Sequence, residues 1–258
     1  MDPVAFSVFG LPIYWYGILM ASAIVCAAAL CIARETRFGF ERDTVLNLSM
    51  WAVPLALIGA RVYYVIFSFD AYRDNLWSVF DTRMGGMAIY GAIIGGVITG
   101  WVYARRSRLP FGLLADLVAP GLAIGQAIGR WGNFINQEAY GVAVTDAALC
   151  RFPIAVYIEA TGQWHLATFF YESMWCLIVC ITLLLLERVW AKRTAGSLFL
   201  IYALLYSLER AVVEGLRTDS LMFYGFRVSQ VLSIVCALLC LIILICRHLP
   251  SKAQKPHL

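Results

Sequence analysis

Residues 228–246, VSQVLSIVCALLCLIILIC, run without a single charged side chain. They match the roughly 20 residues an α-helix needs to cross the hydrocarbon of a bilayer. Six further apolar stretches of similar length precede them, at 15–33, 46–67, 87–104, 113–129, 170–187 and 197–215. The whole chain follows the same balance: of 258 residues, 62% are hydrophobic and only 14% charged, against about 25% charged in a typical soluble domain. Folding alone cannot hide so much apolar surface from water. The expected fold is therefore an all-α integral membrane protein of about seven transmembrane helices, a single membrane domain over 1–258.

The intervals between the stretches are short and polar, with one exception. Residues 130–169 are rich in Gly, Asn and Tyr, and read as a small extracytoplasmic head between the fourth and fifth helices. Within it Ile154, Val156 and Ile158 alternate with Ala155 and Tyr157, the pattern of a short strand, and Thr161-Gly162 reads as the turn that follows.

The net charge of +4 is spread over loops instead of gathered into one stripe, which argues against a nucleic-acid partner. One set of loops holds Arg34, Arg37, Arg42, Arg105, Arg106, Arg108, Arg188, Lys192 and Arg193, with Arg247, Lys252 and Lys255 in the tail, twelve in all; the opposite set holds Arg73, Arg83, Arg151, Arg217 and Arg227, only five. The positive-inside rule then places the carboxyl terminus in the cytoplasm, and the amino terminus and the head outside. An odd helix count agrees. Asp2 is the only charge in 1–14, so the basic start of a signal peptide is missing.

The eight cysteines form no CxxC. All but Cys150 lie in or beside apolar runs, and they read as small apolar residues, with no metal-binding spacing. His165, His248 and His257 are the only histidines. The chain has no GxSxG elbow, HExxH, Walker loop or dinucleotide fingerprint. Gly91 and Gly95, Gly96 and Gly100, and Gly121, Gly125 and Gly129 recur every four residues. That spacing suits close helix packing, or packing that also leaves room for a lipid chain.

Charge inside hydrocarbon costs about 2.5–3.5 kcal/mol per residue, so the few intramembrane charges need a reason. Tyr206, Arg210, Glu214 and Arg217 fall at i, i+4, i+8 and i+11, on one helical face. Arg210 and Glu214 can pair, either as an internal packing device or as part of a site. Arg217 adds positive charge near the outer surface, which a phosphate would complete. A second group is Gln126, Arg130, Asn133, Asn136 and Glu138, where an apolar helix gives way to what reads as a Gly-punctuated turn. Arginine offers a planar fork for two phosphate oxygens. Glu138 can orient an arginine or accept a proton. In the run Arg83-Met-Gly85-Gly86-Met-Ala-Ile-Tyr90-Gly91 the paired glycines allow a tight turn before a helix enters the membrane. Tyr90 sits about one turn inside, as an interfacial aromatic or a site residue. Tyr16 reads equally as belt or pocket wall. Arg61 and Asp116 are possible partners, and Glu172 serves as a cap or as pocket support.

Gly129-Arg130-Trp-Gly-Asn133-Phe-Ile-Asn136-Gln-Glu138, followed by Gly141, resembles the signature of the prolipoprotein diacylglyceryl transferase family. The resemblance extends through Trp15-Tyr16-Gly17, Gly85-Gly86-Met-Ala-Ile-Tyr90-Gly91, Gly95-Gly96, Thr168-Phe-Phe-Tyr171-Glu172-Ser173, Tyr206, Arg210, Glu214 and Arg217-Thr-Asp219. It implies transfer of the diacylglyceryl group of phosphatidylglycerol to the thiol of a lipobox cysteine in a prolipoprotein signal peptide, with glycerol 1-phosphate leaving. It also implies seven helices, a bacterial cytoplasmic (inner) membrane location and no cofactor. By position, Arg130 and Arg210 fall on the arginines used around the lipid phosphate, and Glu214 and Tyr90 are the other candidate catalytic positions. Tyr16, Asn133, Asn136, Glu138, Gly141, Tyr206 and Arg217 match further substrate-binding positions. Many relatives carry His at Tyr90, a candidate base for the thiol. A neutral tyrosine, with a pKa near 10, is a poor base at neutral pH. Either Tyr90 only positions the substrate by a hydrogen bond, or another group takes the proton, or this copy is impaired; the first two are favoured because the arginine and asparagine set is intact. Two alternatives stay open: a catalytically silent phosphatidylglycerol-binding relative, and a lipid or solute transporter, although no inverted repeat supports the latter.

Overall fold

The computed structural model describes residues 3–73, 75–81, 85–191, 193–218 and 222–248. Asp2, Arg83, Lys192, Asp219, Lys252, Lys255 and His257, singled out above, lie outside the described residues. Among those described there are seven α-helices of 18 to 26 residues: α1 (Trp15–Glu35), α2 (Thr44–Phe67), α3 (Ile89–Arg106), α4 (Phe111–Asn136), α5 (Thr168–Val189), α6 (Ser197–Leu216) and α7 (Val228–His248). Five of the seven, α1, α2, α4, α5 and α7, are long and apolar enough to cross a membrane. Of the other two, α3 carries Arg105 and Arg106 in its last turn, and α6 is interrupted by Glu209, Arg210 and Glu214. The chain is a mostly helical integral membrane protein. Its eight cysteines are all free thiols.

One expected boundary is wrong in a way that matters. Helix α4 does not stop at Gly129; it continues to Asn136. Arg130, Asn133 and Asn136 therefore project from a helix, not from a turn. Gly132 serves close approach instead of a break: a Cβ there would sit 2.6 Å from Cδ2 of Tyr16, whereas one on Gly129 would meet only Sδ of Met20 at 3.7 Å. The helix gives out beyond Asn136, where Gln137 and Ala139 adopt φ of 52° and 58°.

The chain divides into two compact units, residues 1–27 with 118–258 and residues 28–117, the divisions falling inside α1 and α4. In the first, the expected short strand is present as β3 (Ala155–Ile158). It pairs antiparallel with β4 (Gln163–Leu166) across a turn that includes Gly162 at φ 66°. Val156 and Ile158 point inward and Tyr157 outward, as alternation along a strand requires. With Ala167 and Phe169 they form a small core, against which Trp131, Phe134, Tyr140 and Phe170 pack. Two hairpins went unanticipated: β1 (Val4–Val8) with β2 (Leu11–Tyr14), turning at Phe9-Gly10, and β5 (Met222–Phe223) with β6 (Phe226–Arg227). Both turn on residues of positive φ ending in Gly, Phe9-Gly10 and Tyr224-Gly225, the conformation that two-residue hairpin loops favour.

In the second unit α2 and α3 touch backbone to backbone. A Cβ on Gly91 would lie 2.2 Å from the Gly59 carbonyl oxygen, and one on Gly95 2.7 Å from that of Leu55. These glycines admit a neighbouring helix and leave no room for a lipid chain there. Gly96 faces open space, and Gly100 meets only the Phe111 ring at 3.7 Å, so that second pair plays no part in close packing. Arg61 is buried and does not pair with Asp116. Its Nε donates to Val79 O, Nη1 to Gly85 O and Gly86 O, and Nη2 to Ser78 O and Asp81 O. A guanidinium has five N–H donors, and all are committed to loop carbonyls. Glu35 at the end of α1 accepts from the backbone N–H groups of Asp43 and Val45, both at 2.9 Å, and so ties down the start of α2.

Substituting Gly91 with Ala drives a methyl group into the α2 carbonyl, whereas Gly96→Ala meets nothing. Overpacking of this kind costs about 1–3 kcal/mol. Thermal unfolding of the detergent-solubilised protein should show Gly91→Ala melting several degrees below Gly96→Ala and the parent. Equal melting temperatures would contradict the backbone contact.

Candidate active site

Three helices of the first unit, α4, α5 and α6, each contribute charge to one buried cluster. Apolar helices bring these charges together because each lacks a neutralising partner on its own helix, apart from Arg210 and Glu214 one turn apart. Glu172 of α5, fully buried, is the hub. Its Oε1 accepts from Nη2 of Arg130 on α4 at 3.0 Å and from Nη1 of Arg210 on α6 at 2.9 Å. Nη2 of Arg210 then reaches Oε2 of Glu214 at 2.5 Å. Both guanidinium groups thus sit on one oxygen, within the span of a single phosphate, with side chains 17% and 18% exposed. Ion pairs of this kind, removed from water and bonded at short distance, are sensitive to the loss of either partner, at about 3–5 kcal/mol.

Around the cluster the helices are fixed by directional contacts. Nε1 of Trp131 donates to Oγ of Ser173, which donates to the Ala127 carbonyl, stitching α4 to α5. The Trp131 ring meets Phe169 and Phe170 edge-on. Tyr206, one turn before Arg210, stacks on Tyr202 with centroids 6.1 Å apart. Nη1 of Arg227 donates to the Glu214 carbonyl.

The other anticipated residues divide into two groups. Asn133 and Asn136 donate their Nδ2 groups to Oε1 of Glu138 at 2.9 and 3.3 Å. Glu138 therefore orients two asparagines and not an arginine, a role that Glu172 and Glu214 hold. Gln126 meets Sγ of Cys176 at 3.9 Å. Gly141 is clamped: its N–H donates to Leu166 O, its carbonyl contacts Nδ1 of His165 at 2.8 Å, and it bridges to Arg217. A Cβ there would fall 2.8 Å from that of Leu166. Thr168 Oγ1 donates to Ala139 O at 2.6 Å, so this strap joins the end of α4 to the start of α5 and the end of α6. Tyr16 lies against Gly132. Tyr90 belongs to the other unit, at the second residue of α3, 44% exposed with its ring 6.2 Å from that of Tyr63.

Two residues of the cluster were undervalued in the sequence. By position Glu172 suits a cap or support, whereas in the structure it joins both arginines. Glu209, adjacent to Arg210, passed unnoticed, yet it is 8% exposed and both its carboxyl oxygens lack a hydrogen bond. The signal was available for both: a carboxylate within an apolar helix needs the same explanation as Arg210 does. Among the described residues no three His, Cys, Asp or Glu side chains converge as a metal would require. The arrangement offers arginine donors to an anion.

The profile of prolipoprotein diacylglyceryl transferases matches residues 3–246. A phosphatidylglycerol–prolipoprotein diacylglyceryl transferase of Listeria welshimeri is 43% identical over all of this chain and 93% of its own length. One from Bacillus cytotoxicus is 41% identical over all of this chain and 96% of its own. A third, from Clostridium kluyveri, is 44% identical over 91% of this chain and 92% of its own. With near-complete coverage in both directions, the chain belongs to the prolipoprotein diacylglyceryl transferase family.

Proposed function

We propose that this chain transfers the diacylglyceryl group of phosphatidylglycerol to the thiol of a prolipoprotein's lipobox cysteine, releasing glycerol 1-phosphate, at the outer face of the bacterial cytoplasmic membrane. The sharing of Glu172 Oε1 by Arg130 and Arg210 carries the reading, and the names of the relatives agree with it. In the reaction the cysteine sulfur attacks the glyceryl carbon that bears the phosphate. The S–C bond forms as the C–O bond breaks, and the electron pair stays on the phosphate oxygen. The thiol proton passes to an acceptor.

Negative charge thus collects on the departing phosphate. Each guanidinium has five N–H donors, and the carboxylates engage one from Arg130 and two from Arg210. The others are available to phosphate oxygens. In a site poor in water such preorganised donors act at full strength. The same positive charge lowers the pKa of an incoming thiol. Glu172 and Glu214 hold the guanidinium groups in register. Asn133, Asn136 and Glu138 form the next layer, with Tyr16, Gly141, Tyr206 and Arg217 shaping the site. Tyr90 positions substrate through its hydroxyl.

In this reading all seven helices span the membrane, including α3 and α6. At 18 and 20 residues they measure about 27 and 30 Å at 1.5 Å per residue, close to the hydrocarbon thickness. The amino terminus and residues 130–169 lie outside and the carboxyl terminus lies in the cytoplasm, as the arginine and lysine distribution favours.

Arg130→Ala and Arg210→Ala should each slow transfer of labelled diacylglyceryl to a lipobox peptide by about a hundred- to a thousandfold, the scale of a lost transition-state donor. Full activity in either would refute the clamp. Tyr90→Phe should cost about tenfold if its hydroxyl holds substrate; an unchanged rate removes it from the mechanism. A membrane-impermeant maleimide should label the half-buried Cys150 of the head in intact cells and the exposed Cys246 only after lysis. The reverse order would invert the topology.

A further inference from the structure

Glu209 is the one member of the buried cluster that the mechanism leaves unused. It shares a helical face with Tyr202, Tyr206 and Val213, at spacings of three and four, and Tyr206 stands equally on the face of Arg210. Its carboxyl group lies within electrostatic range of Arg130, Arg210 and Glu172, and of the Cys176 thiol. Yet no donor reaches either oxygen. The guanidinium groups are turned to Glu172 and Glu214 instead. A carboxyl buried without hydrogen bonds is costly, so a helix that keeps one beside two arginines leaves acceptors for a group that arrives with the ligand.

The chemistry of that group is narrow. A phosphodiester brings acceptors only, so it satisfies the arginines and leaves Glu209 unmatched. An ammonium group would also match Glu209, since Glu172 and Glu214 already offset the two guanidinium groups, and the phosphatidylethanolamine arm of the test separates it from a hydroxyl. A neutral group with hydroxyl donors, carried a few bonds from the phosphate, meets both demands. We propose that Glu209 accepts the hydroxyl groups of the donor lipid's terminal glycerol, making it a specificity-determining residue that selects phosphatidylglycerol among phospholipids of the same diester charge. This rests on the function proposed above. The arginines bind what all such lipids share, and Glu209 reads what distinguishes one of them.

The test uses the purified full-length protein, a lipobox peptide and three donors: phosphatidylglycerol, phosphatidylethanol, which keeps the diester and lacks the hydroxyls, and phosphatidylethanolamine. The parent protein should favour phosphatidylglycerol over phosphatidylethanol by about a hundredfold or more in kcat/KM, since a site built to bond a hydroxyl rejects the analogue without it. Glu209→Met should bring the two donors within about threefold of each other by lowering the rate with phosphatidylglycerol alone. Glu209→Gln, which keeps one acceptor oxygen, should fall between, and it carries the test if the Met variant does not fold. A purely structural Glu209 would lower both rates together and keep the preference. That result would overturn the assignment, as would a parent protein indifferent to the hydroxyls or one that prefers phosphatidylethanolamine. Failure of the parent to use phosphatidylglycerol at all would instead refute the transferase reading itself.

Discussion

The first compact unit depends on one oxygen atom. Oε1 of Glu172 holds two guanidinium groups from two different helices. In water such a contact would contribute little. In a helical bundle surrounded by hydrocarbon it is, among the described residues, the carboxylate contact of Arg130 and one of two for Arg210. The bridge serves two ends at once. It fixes the positions of α4, α5 and α6, and in the proposed reaction it holds two guanidinium groups ready for a lipid phosphate. In the proposed reaction stability and chemistry share these atoms.

The segment after α4 supports that bridge mechanically. Gly141 is held by backbone contacts to Leu166 and Arg217, and its carbonyl meets the His165 ring. Thr168 binds back to Ala139 just before α5 begins. The strap thereby ties the ends of the three site helices, while the β3–β4 hairpin closes over Trp131, Phe134 and Phe169. Rotation of α5 would carry Glu172 away from both arginines, and the Trp131–Ser173–Ala127 chain resists it. In the other unit the same economy of polar groups appears in Arg61, which spends every donor on loop carbonyls.

Much of this was legible in the sequence, for definite reasons. Apolar runs with a length set by the bilayer place α1, α2, α4, α5 and α7, because the cost of a charge in hydrocarbon is large and local. The pairing of Arg210 with Glu214 follows from helical periodicity within one element. Strand β3 and the turn after it follow from alternation and a glycine, while its partner β4 carries no such signal. What could not be read is what depends on packing between elements. Gly129 and Gly132 look like helix breakers until Tyr16 is seen against one of them. Arg61 and Asp116 look like partners until the loop carbonyls claim every guanidinium donor. Glu138 lies near Arg130 in sequence but turns to Asn133 and Asn136. Glu172 and Glu209 carry the same intramembrane cost as Arg210. Nothing within α5 or α6 alone says that one of them bridges two arginines while the other has no bond at all.

The most direct measurement is a structure of the protein with a hydrolysis-resistant phosphatidylglycerol analogue, in which sulfur or carbon replaces the oxygen of the breaking bond. The account predicts the lipid phosphate within hydrogen-bond distance of Arg130 and Arg210 together, with Glu172 still between them. A phosphate bound to only one of the two, or seated elsewhere in the protein, would contradict it.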